Sequence, residues 1–205
     1  MGKVWIRLSC VKNLETRGVV SRAYPGDYIQ VDKSRARQWL AAGDCDIPAR
    51  EMSKVTKDCA VLCLGSPPEN IRALKVPVET GDKPRIVDTY TLIWDPILAL
   101  RLELVPIGFH LLEKWEVAIP MIDYDYLALD AGTLQERQDT KALIRDLRVP
   151  LYDPRLVFVR DCPGGRQFVE NWNAEEGDRR LALLRAVYKT KPLICALPIT
   201  WINKA

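Results

Sequence analysis

Short apolar segments alternate with segments of helical periodicity along residues 58–205. The first apolar segment, residues 59–64, is nearly continuous and ends at the Gly-Ser-Pro-Pro turn of 65–68, which is typical of a strand buried on both faces. Further strands are predicted at 86–94, 117–122, 155–160 and 193–197, and helices at 133–147, at 164–172 and from Asp178 onward, with two short helices within 96–115. This alternation predicts an α/β domain with a parallel or mixed sheet.

Residues 1–50 have a different pattern. An alternating strand near the start is followed by turn residues, further strands and a short helix that begins after Asp32 and ends before Gly43. This predicts a small β-rich, ββα-like module, too small to bury much surface by itself. Residues 46–57 are polar and contain Pro48, which suits a linker. We therefore place a domain boundary near residue 50, between a module of 1–50 and an α/β domain of 51–205.

The charge of the chain is concentrated in the module. The net charge is +3, but residues 1–50 contain nine Lys or Arg against five Asp or Glu, whereas residues 51–205 contain 21 against 22. The module therefore carries +4 and the rest of the chain −1. This is well short of the dense basic stripe of a nucleic-acid-binding protein, so nucleic acid is not an expected partner.

The composition is that of an ordinary globular protein, with 48% hydrophobic and 28% charged residues. No apolar stretch approaches the roughly 18 to 20 residues that a membrane helix needs. The first ten residues carry Lys3 and Arg7 and lack the apolar core of a signal peptide. These observations predict a cytoplasmic protein without a membrane span.

Several kinds of site lack their sequence signatures. The six cysteines include no CxxC pair, and His110 is the only histidine, so a structural zinc site is not expected. The sequence has no GxxxxGK[ST] and no GxGxxG phosphate loop. A cluster of arginines at 179, 180 and 185 fits a solvated helix face, with phosphate binding as an alternative.

One acidic pair has a more specific context. Asp123 and Asp125 follow the apolar segment 117–122, so we expect them at the carboxyl end of a buried strand, where ligands of open α/β sheets bind. Carboxylate oxygens there suit Mg²⁺ or Mn²⁺, which would neutralise a diphosphate leaving group. A solvated turn is the alternative interpretation of the same pattern.

The order of segments around this pair resembles that of nucleotide-sugar glycosyltransferases of the GT-A fold. The stretch HLLEKWEVAIPMIDYDYLAL resembles their helix, strand and D-x-D segment, and LYDPRLVFVR resembles a later strand beside the acceptor. GGRQFVENW, EEGDRRLALLRAVY and LICALPITWIN resemble the late helices, the closing strand and a segment near the sugar. The resemblance covers residues 104–203 and implies a reduced GT-A fold, because only a short nucleotide-binding half precedes the acidic pair.

The resemblance also implies a role for individual residues. Asp123 and Asp125 would hold the metal and Asp153 would face the acceptor, while Asp178 would act as a base or bind a sugar hydroxyl. The binding site for the nucleotide-sugar would be lined by Ser66, Trp201 and Asn203.

The module resembles another group of proteins. YPGDYIQVDKSRARQWLAAGDC is similar to short modules at the start of many bacteriophage proteins, including head and tail components. Two functions are therefore predicted. The first is a metal-dependent glycosyltransferase of phage or prophage origin whose module steers the acceptor. The alternative is a non-catalytic phage structural or host-interaction protein, located in the virion, whose module docks to other phage structural proteins.

Overall fold

The structure is a computed structural model that describes residues 3–16, 19–23, 27–46, 58–122, 126–198 and 201. The chain divides into two compact units, residues 1–54 and 55–205. We call them unit 1 and unit 2 and describe each by itself.

Unit 1 is a small β-rich unit with one helix. Its elements are β1 (Lys3–Leu8), β2 (Lys12–Thr16), β3 (Val19–Ala23), β4 (Tyr28–Asp32), α1 (Lys33–Ala41) and β5 (Cys45–Asp46). Strand β1 lies between β4 and β5, both antiparallel to it, and β2 pairs with β3 as a hairpin. Ile6 and Leu8, two residues apart on β1, share one face of the strand and pack with Val31, Ala36 and Cys45. The unit thus has a hydrophobic core of its own.

Unit 2 is built on a mixed six-stranded sheet with helices on it. Its elements are β6 (Cys59–Cys63), β7 (Val78–Thr80), β8 (Tyr90–Trp94), α2 (Val105–Leu111), β9 (Val117–Pro120), α3 (Leu134–Ile144), β10 (Leu156–Arg160), α4 (Pro163–Ala174), α5 (Arg179–Thr190) and β11 (Ile194–Leu197). The strand order is β11-β9-β10-β8-β6-β7. Strand β10 is antiparallel to both neighbours, while the other neighbouring strands pair in parallel.

Both faces of this sheet are covered. On one face, alternate residues of β6, β8, β9 and β10 pack against Phe168 and Trp172 of α4 and Leu183 of α5. On the other face, Phe158 of β10 packs edge-on against Phe109 of α2, with ring centroids 5.6 Å apart. Burial on both faces explains why these strands are continuous apolar runs in the sequence.

The predicted α/β class is confirmed, and most predicted elements of unit 2 are present. Thr133 and Glu136 form the capping box that the sequence indicates, and Asp178 caps α5. Pro120 ends β9, which lies inside the sheet between β11 and β10. The strand expected at 86–94 begins only at Tyr90, and β7 was not predicted because three residues are too few for a periodicity.

Among the described residues, no helix has the length and apolar character needed to cross a membrane.

Candidate functional site

The carboxyl ends of β6 and β8 meet at a topological switch point. From β6 the chain continues to β7 on one side and then returns past β6 to β8 on the other side. Open α/β sheets bind ligands in the crevice outside the strand ends at such a point. Leu64 and Asp95, the residues that directly follow these two strands, both line a cleft with a volume of about 400 Å³.

The remaining walls of this cleft come from two further segments. The loop after β7 contributes Asp82, Lys83 and Pro84. The end of α4, the start of α5 and the turn between them contribute the other lining side chains, which include Trp172, Asn173, Glu175 and Arg179. The cleft is therefore partly apolar and carries charges of both signs.

Asp95 is a buried charge in the wall of the cleft. It is only 4% exposed. Its Oδ2 accepts a hydrogen bond of 2.7 Å from Nη1 of Arg179, and its Oδ1 accepts one of 3.1 Å from the backbone N–H of Ile97. The Arg179 side chain is 53% exposed, and its other guanidinium donors make no hydrogen bond among the described residues. Asp95 thus holds a half-exposed guanidinium at the cleft.

A second aspartate–arginine pair lies at the same edge. Asp153 is 2% exposed, and its carboxylate binds Arg155 through both oxygens, with a shortest distance of 2.6 Å between Oδ2 and Nη2. This pairing raises the pKa of Arg155. The backbone joins the two pairs, because the N–H of Asp95 donates to the carbonyl of Arg155 over 2.9 Å.

The third pair is formed by Asp178 and Arg180 at the start of α5. Asp178 accepts from the backbone N–H groups of Arg180 and Leu181 and also binds the Arg180 guanidinium, with 2.6 Å between Oδ2 and Nη2. These hydrogen bonds, that of the guanidinium above all, lower the pKa of Asp178. Arg180 and Arg155 are close enough to repel each other electrostatically, so the second and third pairs are neighbours.

The structure brings some of the predicted site residues together and not others. Asp153 and Asp178 lie at the same edge of the sheet, each paired with an arginine. Ser66 is exposed on the turn after β6. Trp201 is 2% exposed and packs edge-on against Phe158, so its ring lies in the core. Asp123, Asp125 and Asn203 lie outside the described residues.

The residues on either side of the predicted metal pair are described. The N–H of Ile122 donates to the carbonyl of Leu151 over 2.8 Å. The ring of Tyr126 lies 5.0 Å from the guanidinium carbon of Arg180, a distance typical of a cation–π contact. Tyr126, the residue directly after 123–125, therefore contacts the arginine of the third aspartate–arginine pair.

Sequence reasoning missed Asp95 and misread Arg185. Asp95 directly follows the apolar segment of β8, which is the same signal that singled out Asp123. Arg185 was expected on a solvated face and is instead 7% exposed, bound to Glu175 and Thr140. Its hydrogen-bond partners come from other segments of the chain, so no local pattern reveals its burial.

The fold and this edge define the described part of unit 2 as a mixed-sheet α/β domain with a polar cleft at its switch point. Comparison with protein-family models, with curated proteins and with solved structures found no match for this chain.

Proposed function

We propose that this protein is a metal-dependent glycosyltransferase that binds a nucleotide-sugar in the cleft at the carboxyl edge of the sheet. The observation that carries this proposal is the placement of Arg179, which the buried Asp95 holds at the cleft with further donors available. Guanidinium donors match the geometry of phosphate oxygens. Lys83 lines the same cleft and adds a second cation for the diphosphate.

The order of the elements supports a reduced GT-A fold. Helix α2, strand β9, the acidic pair, strand β10, helices α4 and α5, and strand β11 follow one another in the order that the sequence resemblance implies. The proposal that this domain is phage or prophage encoded rests on the resemblance of residues 1–50 alone.

In this proposal Asp123 and Asp125 bind Mn²⁺ or Mg²⁺, whose charge stabilises the leaving diphosphate. Within the described ranges, no group of three or more His, Cys, Asp and Glu side chains could hold a metal ion. Moreover, Asp95, Asp153 and Asp178 already use their oxygens for arginines. Binding of the metal in this proposal therefore depends on Asp123 and Asp125.

The other predicted residues receive more specific roles in this proposal. Asp178 has a lowered pKa, and a weaker base accepts protons less readily, so it suits a hydrogen bond to a sugar hydroxyl better than general-base catalysis. Asp153 faces the acceptor region through its pair with Arg155. Ser66 and Asn203 are assigned to the donor side, where Ser66 follows the strand that leads into the cleft. Trp201 was predicted to line the same side, but its ring is buried against Phe158, so we assign it no contact with the nucleotide-sugar.

The proposal predicts nucleotide-dependent stabilisation of the protein. UDP or GDP with Mn²⁺, at about 100 times its dissociation constant, is expected to stabilise the native state by about 2.7 kcal/mol. For a unit of this size the melting temperature should then rise by roughly 5 to 10 °C. Differential scanning fluorimetry with a panel of nucleotides, with and without the metal, measures this shift.

Variants separate the parts of the site. Arg179→Ala is expected to abolish the rise in melting temperature that the nucleotide causes. Asp123→Ala or Asp125→Ala is expected to abolish the dependence of that rise on Mn²⁺. Arg148→Ala is the matched control, because Arg148 is 77% exposed and pairs only with the neighbouring Asp146 among the described residues. A wild-type protein that no nucleotide stabilises would contradict the proposal.

Unit 1 favours the second candidate function, docking to a phage assembly without catalysis. It has its own hydrophobic core, and its described helix α1 carries Lys33, Arg35 and Arg37 without an acidic residue. A separate folded module is what a docking function requires. Co-sedimentation of the protein with phage particles, together with the absence of any nucleotide shift, would support this function over the first.

A further inference from the structure

The turn between α4 and α5, residues 175–178, is anchored from α3 by a single carboxylate. Oε1 of Glu136 accepts the backbone N–H of Asp178 over 2.6 Å, and Oε2 accepts the backbone N–H of Thr133 over 2.5 Å. One side chain therefore satisfies a donor at the start of each of two helices. Since Asp178 directly precedes Arg179, this anchor fixes the backbone from which the Arg179 side chain extends toward the cleft.

The space around this carboxylate is closed on two sides by glycines. Gly132 and Gly177 have φ angles of +58° and +87°, in the region that favours glycine. A Cβ atom at Gly132 would lie 2.7 Å from Oε2 of Glu136, and one at Gly177 would overlap Oε1. A side chain at either glycine would therefore displace the carboxylate from its two N–H partners.

The charge of Glu136 persists at neutral pH. Hydrogen bonds from the backbone of Thr133, and then of Asp178, lower its pKa. An ionised carboxylate accepts hydrogen bonds through both oxygens, and such charge-assisted bonds are stronger than neutral ones. The anchor is therefore present under the conditions in which the cleft would bind an anion.

We propose that Glu136 is a positioning residue for Arg179. The Arg179 side chain is held at its tip by Asp95 and at its backbone by Glu136 through Asp178. A guanidinium fixed in this way loses little conformational entropy when it binds phosphate oxygens, which increases affinity. The effect on affinity rests on the proposed nucleotide site, whereas the fixing of the backbone is a property of the free protein.

Two measurements on the full chain test this inference with Glu136→Gln. The glutamine keeps the length of the side chain but offers one acceptor oxygen in place of two. We expect amide hydrogen exchange in residues 177–182 to become about tenfold faster without ligand. The affinity for UDP with Mn²⁺, and for pyrophosphate, is expected to fall about tenfold because Arg179 is less well placed.

Two controls distinguish positioning from general stability. Asp139→Asn removes one negative charge from the exposed side of α3, where among the described residues only Gln135 contacts this carboxylate. Ile144→Val destabilises the same helix by removing a buried methyl group. Asp139→Asn is expected to leave the exchange in 177–182 and the affinity unchanged. Ile144 lies in the same buried cluster as Leu181 of α5, so Ile144→Val is expected to change both, but by much less than Glu136→Gln.

The possible outcomes separate this inference from the proposed function. If the wild type binds neither UDP nor pyrophosphate, the proposed function is wrong, and the exchange in 177–182 alone decides the role of Glu136. Exchange in Glu136→Gln equal to that of the wild type would overturn the inference. It would also be overturned by an affinity loss no larger than that of Ile144→Val in a protein that does bind UDP.

Discussion

Replacing Arg185 with methionine is expected to lower the free energy of unfolding of unit 2 by about 3 to 5 kcal/mol, because it removes the buried guanidinium that donates to Glu175, Thr140 and the carbonyl of Glu176. Arg185 is 7% exposed. Its Nε donates to Glu175 over 2.5 Å, its Nη1 to the hydroxyl of Thr140 over 3.0 Å, and its Nη2 to the carbonyl of Glu176 over 2.7 Å. All three partners lie on other segments, so the substitution also loosens the contact of α5 with α3 and with the turn after α4.

Urea denaturation followed by circular dichroism measures this loss, and a melting temperature lowered by roughly 10 °C should accompany it. Lys189→Met is the matched control, because Lys189 binds the same carboxylate from a position that is 47% exposed. Exposed ion pairs contribute about 1 kcal/mol or less, so this control is expected to change little. Similar losses for the two variants would contradict the argument.

A second large effect is expected at Gly165, where alanine should destabilise the protein although it is normally the better helix residue. Gly165 is in the first turn of α4, and an added Cβ would lie 2.0 Å from the backbone oxygen of Arg160. Because that oxygen belongs to the end of β10, the overlap is relieved only if helix and sheet move apart. We expect a loss of about 3 kcal/mol in the free energy of unfolding.

The neighbouring glycine provides the comparison. The atoms nearest to a Cβ at Gly164 would be those of the carboxylate of Glu116, the far end of a flexible side chain. Gly164→Ala should therefore cost much less than Gly165→Ala in the same denaturation experiment. Equal stability of Gly165→Ala and the wild type would show that α4 adjusts its distance from the sheet freely.

Part of the candidate site was accessible from the sequence. The capping signals placed Asp178 at the start of a helix, and the apolar segment 155–160 placed Asp153 just before a strand, because both signals are local. Asp95 was not identified, since its significance depends on the parallel pairing of β8 with β6 and on Arg179, which is far away in the sequence.

The sequence by itself determined the α/β class of unit 2, because strands buried on two faces and amphipathic helices leave different periodicities in the chain. It also indicated a separate module at the start, from a change in composition and charge. Only the tertiary structure decided the strand order, the burial of Arg185, and the meeting of three aspartate–arginine pairs at one edge of the sheet. The physical reason is that these features depend on which segments pair across long separations, and such pairing is set by the packing of the whole unit rather than by any local pattern.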